Sequence, residues 1–180
     1  MLKEQIFKAN DIRGVVTGAN PELDLDGARR LGAAFVDLLG LSGETFVTGR
    51  DMRQLGEELA MAFADGARRA GASIIHLGLT STDLLWFGSG HLGLPGVQFT
   101  ASHNPARYNG MKFCLAGASP VYSDFTADLR ERAKTVSIGD KVVGDYEERD
   151  LTAEFVAHLD RLVPVAGKRR IKVVVDAGNG

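Results

Sequence analysis

Short apolar runs alternate with segments of helical spacing through the first hundred residues, and this alternation restricts the fold more than any other feature of the chain. Three runs read as buried strands: TFVTGRD at 45–51, SIIHLG at 73–78 and GVQFTAS at 96–102. Between and before them lie helical patterns. In DLDGARRLGAAFVDLLG (24–40), Leu25, Ala28, Leu31, Phe35, Leu38 and Leu39 share a face, and QLGEELAMAFADGARRAG (54–71) repeats this through Leu55, Leu59, Phe63 and Ala67. Gly71 is its expected stop. STDLLWFGSG (81–90) is a shorter helix that Ser81 can cap. Strands separated by helices pair in parallel, with the helices covering both faces.

After Ser102 comes a loop, then GMKFCLA (110–116), which reads as extended. Two more helices follow, at 123–136 with Phe125, Leu129 and Ala133 inward, and at 150–163 with Phe155, Leu159 and Leu162 inward. Pro164 ends the second. Ile171 to Val175 is then an all-apolar strand run leading into a polar turn. The expected fold is a three-layer α/β/α domain with a mostly parallel mixed sheet, plus the first elements of a second, similar domain. The boundary falls between 1–149 and 150–180, and the chain reads as an N-terminal piece of something longer.

Glycine is abundant, with 22 in 180 residues against an average of about 7%. Such an excess suits an α/β fold whose loops approach ligands closely. The net charge of −2, from 21 basic and 23 acidic residues, gives no basic field for nucleic acid. Cys114 is the single cysteine, so no internal disulfide forms and a reducing, cytoplasmic setting fits. No apolar run approaches the length of a membrane span.

Several motifs invite chemistry and are better read otherwise. Ser102 beside His103 is not a hydrolase pair, because neighbours in extended chain point opposite ways and the Gly-x-Ser-x-Gly elbow is absent. GSGHLG (88–93) matches a dinucleotide fingerprint in letters only. It precedes a strand instead of following one, and reads as a flexible glycine connection. Asp24 and Asp26 open a helix, where carboxylates suit the dipole. Cys114 reads as a buried structural thiol. His76 and His91 read as strand and loop residues without a role, and His158 as solvated.

Topology does single out one rim. TGRD, GLTSTD and TASHN each follow an apolar strand with hydroxyls, charges and amides, and in a parallel sheet these ends share the ligand-binding edge. Ser102 is therefore placed at a candidate site. Arg13, in FKANDIRGVV (7–16), offers a planar fork suited to phosphate.

These pieces together resemble the α-D-phosphohexomutase superfamily. FKANDIRG is similar to its N-terminal arginine loop and TASHNPARYNGMKF to its phosphoserine loop. GRD (49–51) and VVVDAGNG (173–180) stand where the first and second domains carry such segments. The DIRG form resembles the bacterial phosphomannomutase/phosphoglucomutase enzymes, although Asn10 stands where many relatives carry an aromatic. The resemblance implies that Ser102 is phosphorylated and exchanges its phosphoryl group with a hexose phosphate through a bound hexose 1,6-bisphosphate. It implies Lys112 as general acid/base, Arg13 as phosphate clamp, and His103 as donor to phosphate or sugar. Asn104, Asn109 and Arg50 complete the implied substrate- and phosphate-binding set. It implies Mg²⁺, bound by a phosphoserine oxygen and an aspartate loop of a later domain. It also implies that the 180 residues alone are inactive. Phosphoglucosamine mutase is the rival enzyme reading, and a degenerate phosphate-binding module the rival outside catalysis.

Overall fold

The computed structural model describes residues 2–164 and 171–178. In chain order the elements are β1 (Asp11–Val15), α1 (Leu25–Leu39), β2 (Thr45–Arg50), α2 (Gly56–Arg69), β3 (Ser73–Leu79), α3 (Thr82–Leu92), β4 (Gly96–Phe99), β5 (Tyr108–Leu115), β6 (Ser119–Pro120), α4 (Phe125–Thr135), β7 (Tyr146–Glu148) and α5 (Thr152–Leu162). The strands form one mixed sheet in the order β1-β5-β4-β2-β3-β7, with β6 on β5. Strands β2, β3, β4 and β7 pair in parallel, as the alternation predicts. Strand β5 is antiparallel to each of its partners β1, β4 and β6. It alone runs against the others, because the 100–107 loop is too short for the crossover that a parallel partner requires.

The helix ends obey local chemistry. The Asp24 side chain accepts the Gly27 N–H at 2.7 Å, and Gly40 closes α1 in the left-handed region. Ser81 caps α3 by accepting the Leu84 N–H at 3.1 Å. Helix α3 runs through Leu92, so GSGHLG is mostly helix and not a flexible connection. Gly88 is there because a Cβ would come within 2.8 Å of the Leu77 side chain. Ser89 is buried and donates to the Leu94 carbonyl at 2.6 Å. His91 is accordingly an exposed helical residue that stacks on Phe87. His158 is half-buried against the same ring instead of solvated.

Two cores result, one on each face of the sheet. Under α1, α2 and α4, Phe35 is the hub, with Phe46, Phe63, Phe113 and Phe125 at ring centroid distances of 5.2 to 6.4 Å. Helices α1 and α2 cross so closely that a Cβ on Gly66 would lie 1.8 Å from the Arg29 carbonyl oxygen. Under α3, Val47, Ile75, Leu77, Leu84, Leu85 and Leu151 form the smaller core. Cys114 is buried and free, and burial pushes its thiol pKa up, as befits an unreactive structural residue.

Two expectations at the C-terminal end fail. Of the three apolar residues expected inward on α5, only Phe155 packs, while Leu159 and Leu162 stay exposed. Residues 171–178 form no strand, and Val174 is 94% exposed. A strand needs a neighbour for its backbone groups, and none of the described residues pairs with this run. Residues 179 and 180 of the same motif lie outside the described residues. Replacing the hub of the larger core by Phe35→Ala is expected to cost about 3–5 kcal/mol of stability, read as a shift of the urea midpoint. A loss below about 1 kcal/mol would show that the aromatic cluster is not the core's anchor.

Candidate active site

The DIRG segment is a strand, and that sets the site. Strand β1 pairs with β5 in a register that puts Asp11 opposite Lys112 and Arg13 opposite Gly110. Alternation places Asp11, Arg13 and Lys112 on one face. A Cβ at Gly110 would lie 1.9 Å from the Ile12 carbonyl oxygen, so only glycine lets the two strands approach here.

The Asp11 side chain, 8% exposed, gathers both cations through its carboxylate. Its Oδ2 accepts Arg13 Nη2 at 2.6 Å and Nε at 3.0 Å, and Lys112 Nζ lies 3.5 Å away. Arg13 Nη1 reaches on to Asn104 Oδ1 at 3.0 Å, which ties the arginine to the loop after β4. These contacts use three of the five N–H donors of the guanidinium, leaving others for an anion. Arg13, Asn104 and Lys112 are thus linked around one carboxylate.

Ser102 lies in that loop with its side chain exposed and its backbone in the left-handed region, φ +57°. For a non-glycine residue this conformation costs of order 1–2 kcal/mol, and it persists only where neighbours over-determine it. Here they do. The Ser102 N–H donates to Thr100 Oγ1 at 2.9 Å, and the Asn104 N–H closes a turn onto the Ala101 carbonyl at 3.1 Å. The Thr100 hydroxyl in turn donates to Asp51 Oδ2 at 2.6 Å. His103 is exposed beside the serine, and among the described residues its ring makes no hydrogen bond.

Two of the expected binding residues are placed otherwise. Asn109 is fully buried, with its amide donating to the Gln54 carbonyl at 3.1 Å and its Oδ1 accepting the Gly110 N–H at 2.8 Å. It braces the segment before α2, with both ends of its amide engaged by backbone groups. Arg50 is opposite Phe99 in register, and Phe99 is opposite Met111, so its side chain takes the face away from Lys112. It pairs with Glu57 at 2.9 Å and borders a depression of about 430 Å³ shared with His76, Tyr146, Glu148 and Arg149. His76 is buried there with Nδ1 2.9 Å from Thr48 Oγ1, and burial lowers its pKa against the opposing pull of Glu148, with Arg50 adding to the lowering.

Arg53 is not among the residues that the sequence singles out, yet it holds more of the serine loop than any other side chain. Nη1 donates to the carbonyls of Pro105 and Tyr108, each at 3.1 Å. Nη2 donates to those of Ser102 and of Asn104, the latter at 2.8 Å. Nε is buried 3.2 Å from Asp51 Oδ2 without hydrogen-bond alignment. The only sequence signal is its position two residues beyond Asp51 in the rim segment GRDMR.

The profile of phosphoglucomutase/phosphomannomutase α/β/α domain I matches residues 4–138, which include Asp11, Arg13, Arg53, Ser102, His103, Asn104 and Lys112. The chain belongs to the phosphoglucomutase/phosphomannomutase family. It is 36% identical over 187 residues to a phosphomannomutase of Salmonella typhimurium, covering 100% of this chain and 40% of that protein. It is 38% identical over 178 residues to a protein named phosphohexose mutases from Xanthomonas campestris pv. campestris, covering 97% of this chain and 38% of that one. A crystal structure of a phosphoglucomutase/phosphomannomutase family protein from Burkholderia thailandensis superposes with a TM-score of 0.77 at 33% identity, over 88% of this chain and 36% of that one. The chain therefore spans about two-fifths of the length of such relatives.

The lowered His76 pKa has a signed consequence. The unfolded chain binds a proton near the ordinary histidine value of 6.5, and the folded chain only at lower pH. Stability therefore falls as pH drops from 6.5 towards the folded value. His76→Gln is expected to flatten that part of the stability–pH curve in urea titrations at pH 7.5 and pH 5. An unchanged slope would show that His76 does not contribute.

Proposed function

We propose that this chain carries the phosphoserine half of a phosphohexomutase site that interconverts hexose 6-phosphate and hexose 1-phosphate, with mannose or glucose as the sugar. The observation that carries the reading is Ser102, exposed at the end of a central strand, with Arg13 and Lys112 gathered beside its loop by one buried carboxylate.

Phosphoryl transfer asks for positioning and charge neutralisation more than for covalent chemistry. In this reading the P–Oγ bond of phosphoserine breaks as a sugar hydroxyl bonds to phosphorus. The hydroxyl proton passes by way of the Lys112 amine to the leaving Ser102 Oγ. The bisphosphate then returns its other phosphoryl group to Ser102 by the reverse step. Arg13, with spare N–H groups beyond Asp11 and Asn104, binds phosphate oxygens, and the unencumbered His103 is free to donate to phosphate or sugar.

Magnesium belongs to this reading. In this reading the ligand from this chain would be an oxygen of the phosphate on Ser102, and among the described residues no cluster of three or more His, Cys, Asp or Glu side chains stands ready to hold a metal. A hard dication suits phosphate oxygens, and when bound it neutralises charge on the transferring group.

Residues 1–149 are read as one unit and 150–180 as the start of another. In support, β7 completes the sheet by Glu148, whereas Leu159, Leu162 and 171–175 expose apolar side chains. A cytoplasmic setting goes with the buried single thiol. Among the described residues no helix is long and apolar enough to cross a membrane.

Incubation of the complete gene product with a hexose 1,6-bisphosphate is expected to add one phosphate by intact mass, and Ser102→Ala to abolish it together with turnover. Lys112→Met is expected to slow turnover at least about 100-fold while leaving the unfolding midpoint near that of the parent. Undiminished rates in a coupled mutase assay for either variant would overturn the roles assigned.

A further inference from the structure

The Nη groups of Arg53 are spent entirely on the protein, and its Nε is buried. Both Nη1 donors and both Nη2 donors end on backbone carbonyls of the serine loop, and Nε faces Asp51. None of the five N–H groups remains for a substrate phosphate, in contrast with Arg13. With its side chain only 12% exposed, Arg53 sits behind the loop. The four carbonyls belong to residues 102, 104, 105 and 108, so one rigid fork spans the whole turn that presents the serine.

The fork is itself held. Asp51 Oδ1 accepts the Arg53 backbone N–H at 3.0 Å, while Oδ2 takes the Thr100 hydroxyl, whose oxygen accepts the Ser102 N–H. Ser102 is thus gripped at both backbone groups, its N–H through Thr100 and its carbonyl by Arg53. On the other side, Leu55 is a second non-glycine residue in the left-handed region, φ +58°, just before α2. Asn109 fixes the Gln54 carbonyl beside it. Two strained residues flank one arginine, and the bonds that hold them cross between the same two segments.

We propose that Arg53 is the positioning residue of the nucleophilic serine. Its fork moulds the 102–108 loop and keeps Ser102 in the left-handed conformation that presents its oxygen at the rim. The inference rests on the reading of Ser102 as phosphoryl carrier. A group that positions the reacting atom and touches no substrate should act on kcat and not on KM, and a displacement near 1 Å can cost about 100-fold. Lysine cannot substitute, because its three donors lack the planar reach of the fork.

The test uses the complete gene product with Arg53→Met, Arg53→Lys and Thr100→Val, the last a near-isosteric change that keeps the proposal testable should the arginine variants not fold. Expected are a fall in kcat of about 100-fold for both Arg53 variants, with the hexose-phosphate KM within about threefold, and a smaller fall in kcat for Thr100→Val. Amide hydrogen exchange in the 98–113 peptide should quicken at least about tenfold while core peptides stay protected. Unchanged exchange in that peptide, full activity in Arg53→Lys, or a raised KM with kcat intact would each overturn the proposal. A parent protein that takes no phosphate from a hexose 1,6-bisphosphate overturns the functional reading and this one with it. A parent that is phosphorylated, beside an Arg53→Met variant with parental exchange and kcat, overturns this inference alone.

Discussion

One carboxylate orders the polar edge of this sheet. Asp11 is buried opposite Lys112 on the paired strand and two residues from Arg13, so backbone register alone brings two cations onto a single anion. Left unneutralised at such close range, the cations would repel each other and splay from the strand face. With Asp11 between them they are fixed, and the arginine can extend to Asn104 and the serine loop. The cost of burying the anion is offset by two charge-assisted hydrogen bonds from Arg13, by the ion pair with Lys112 and by partial exposure of both cations.

The apolar architecture behind that edge is what makes the register unique. Ile12, Met111 and Phe99 follow one another across β1, β5 and β4 into the phenylalanine core, while the alternate positions Asp11, Lys112 and Gln98 take the other face. A slip of one residue would bury the charges under α1 and α2 and expose the aromatics. The same hydrophobic term that folds the domain therefore selects which face is polar. Gly110 removes the one steric obstacle to that pairing.

Much of this was legible in the residues. Alternating periodicities located β2, β3 and β4 and the five helices to within a few positions, because buried helices and buried strands differ in both length and period. The rim was legible too, since strand ends rich in hydroxyls and charges fall on one edge of a parallel arrangement. Strand β1 was not, because DIRGV carries as many charges as apolar residues and its extended form depends on β5. Strand β7, three residues of Tyr-Glu-Glu, has no strand pattern at all and exists by pairing with β3. Arg50 and Asn109 show the limit of assigning site residues from a motif resemblance. Pleat parity turns Arg50 to the far face, and close packing against the 54–56 turn consumes Asn109. Arg53 shows the converse, since a residue whose Nη donors are all engaged with carbonyls some fifty positions away leaves no local trace.

The reversal of β5 has a thermodynamic corollary. It makes the two ends of the serine loop neighbours in the sheet, so the chain between them is stitched shut by strand pairing and by one fork of donors before any ligand arrives. The entropy of ordering that segment is settled when the domain folds. On the proposed reading, a phosphoryl group arriving on Ser102, or leaving it, would then change the local charge with little change in chain freedom, so that the two states differ in electrostatics far more than in shape.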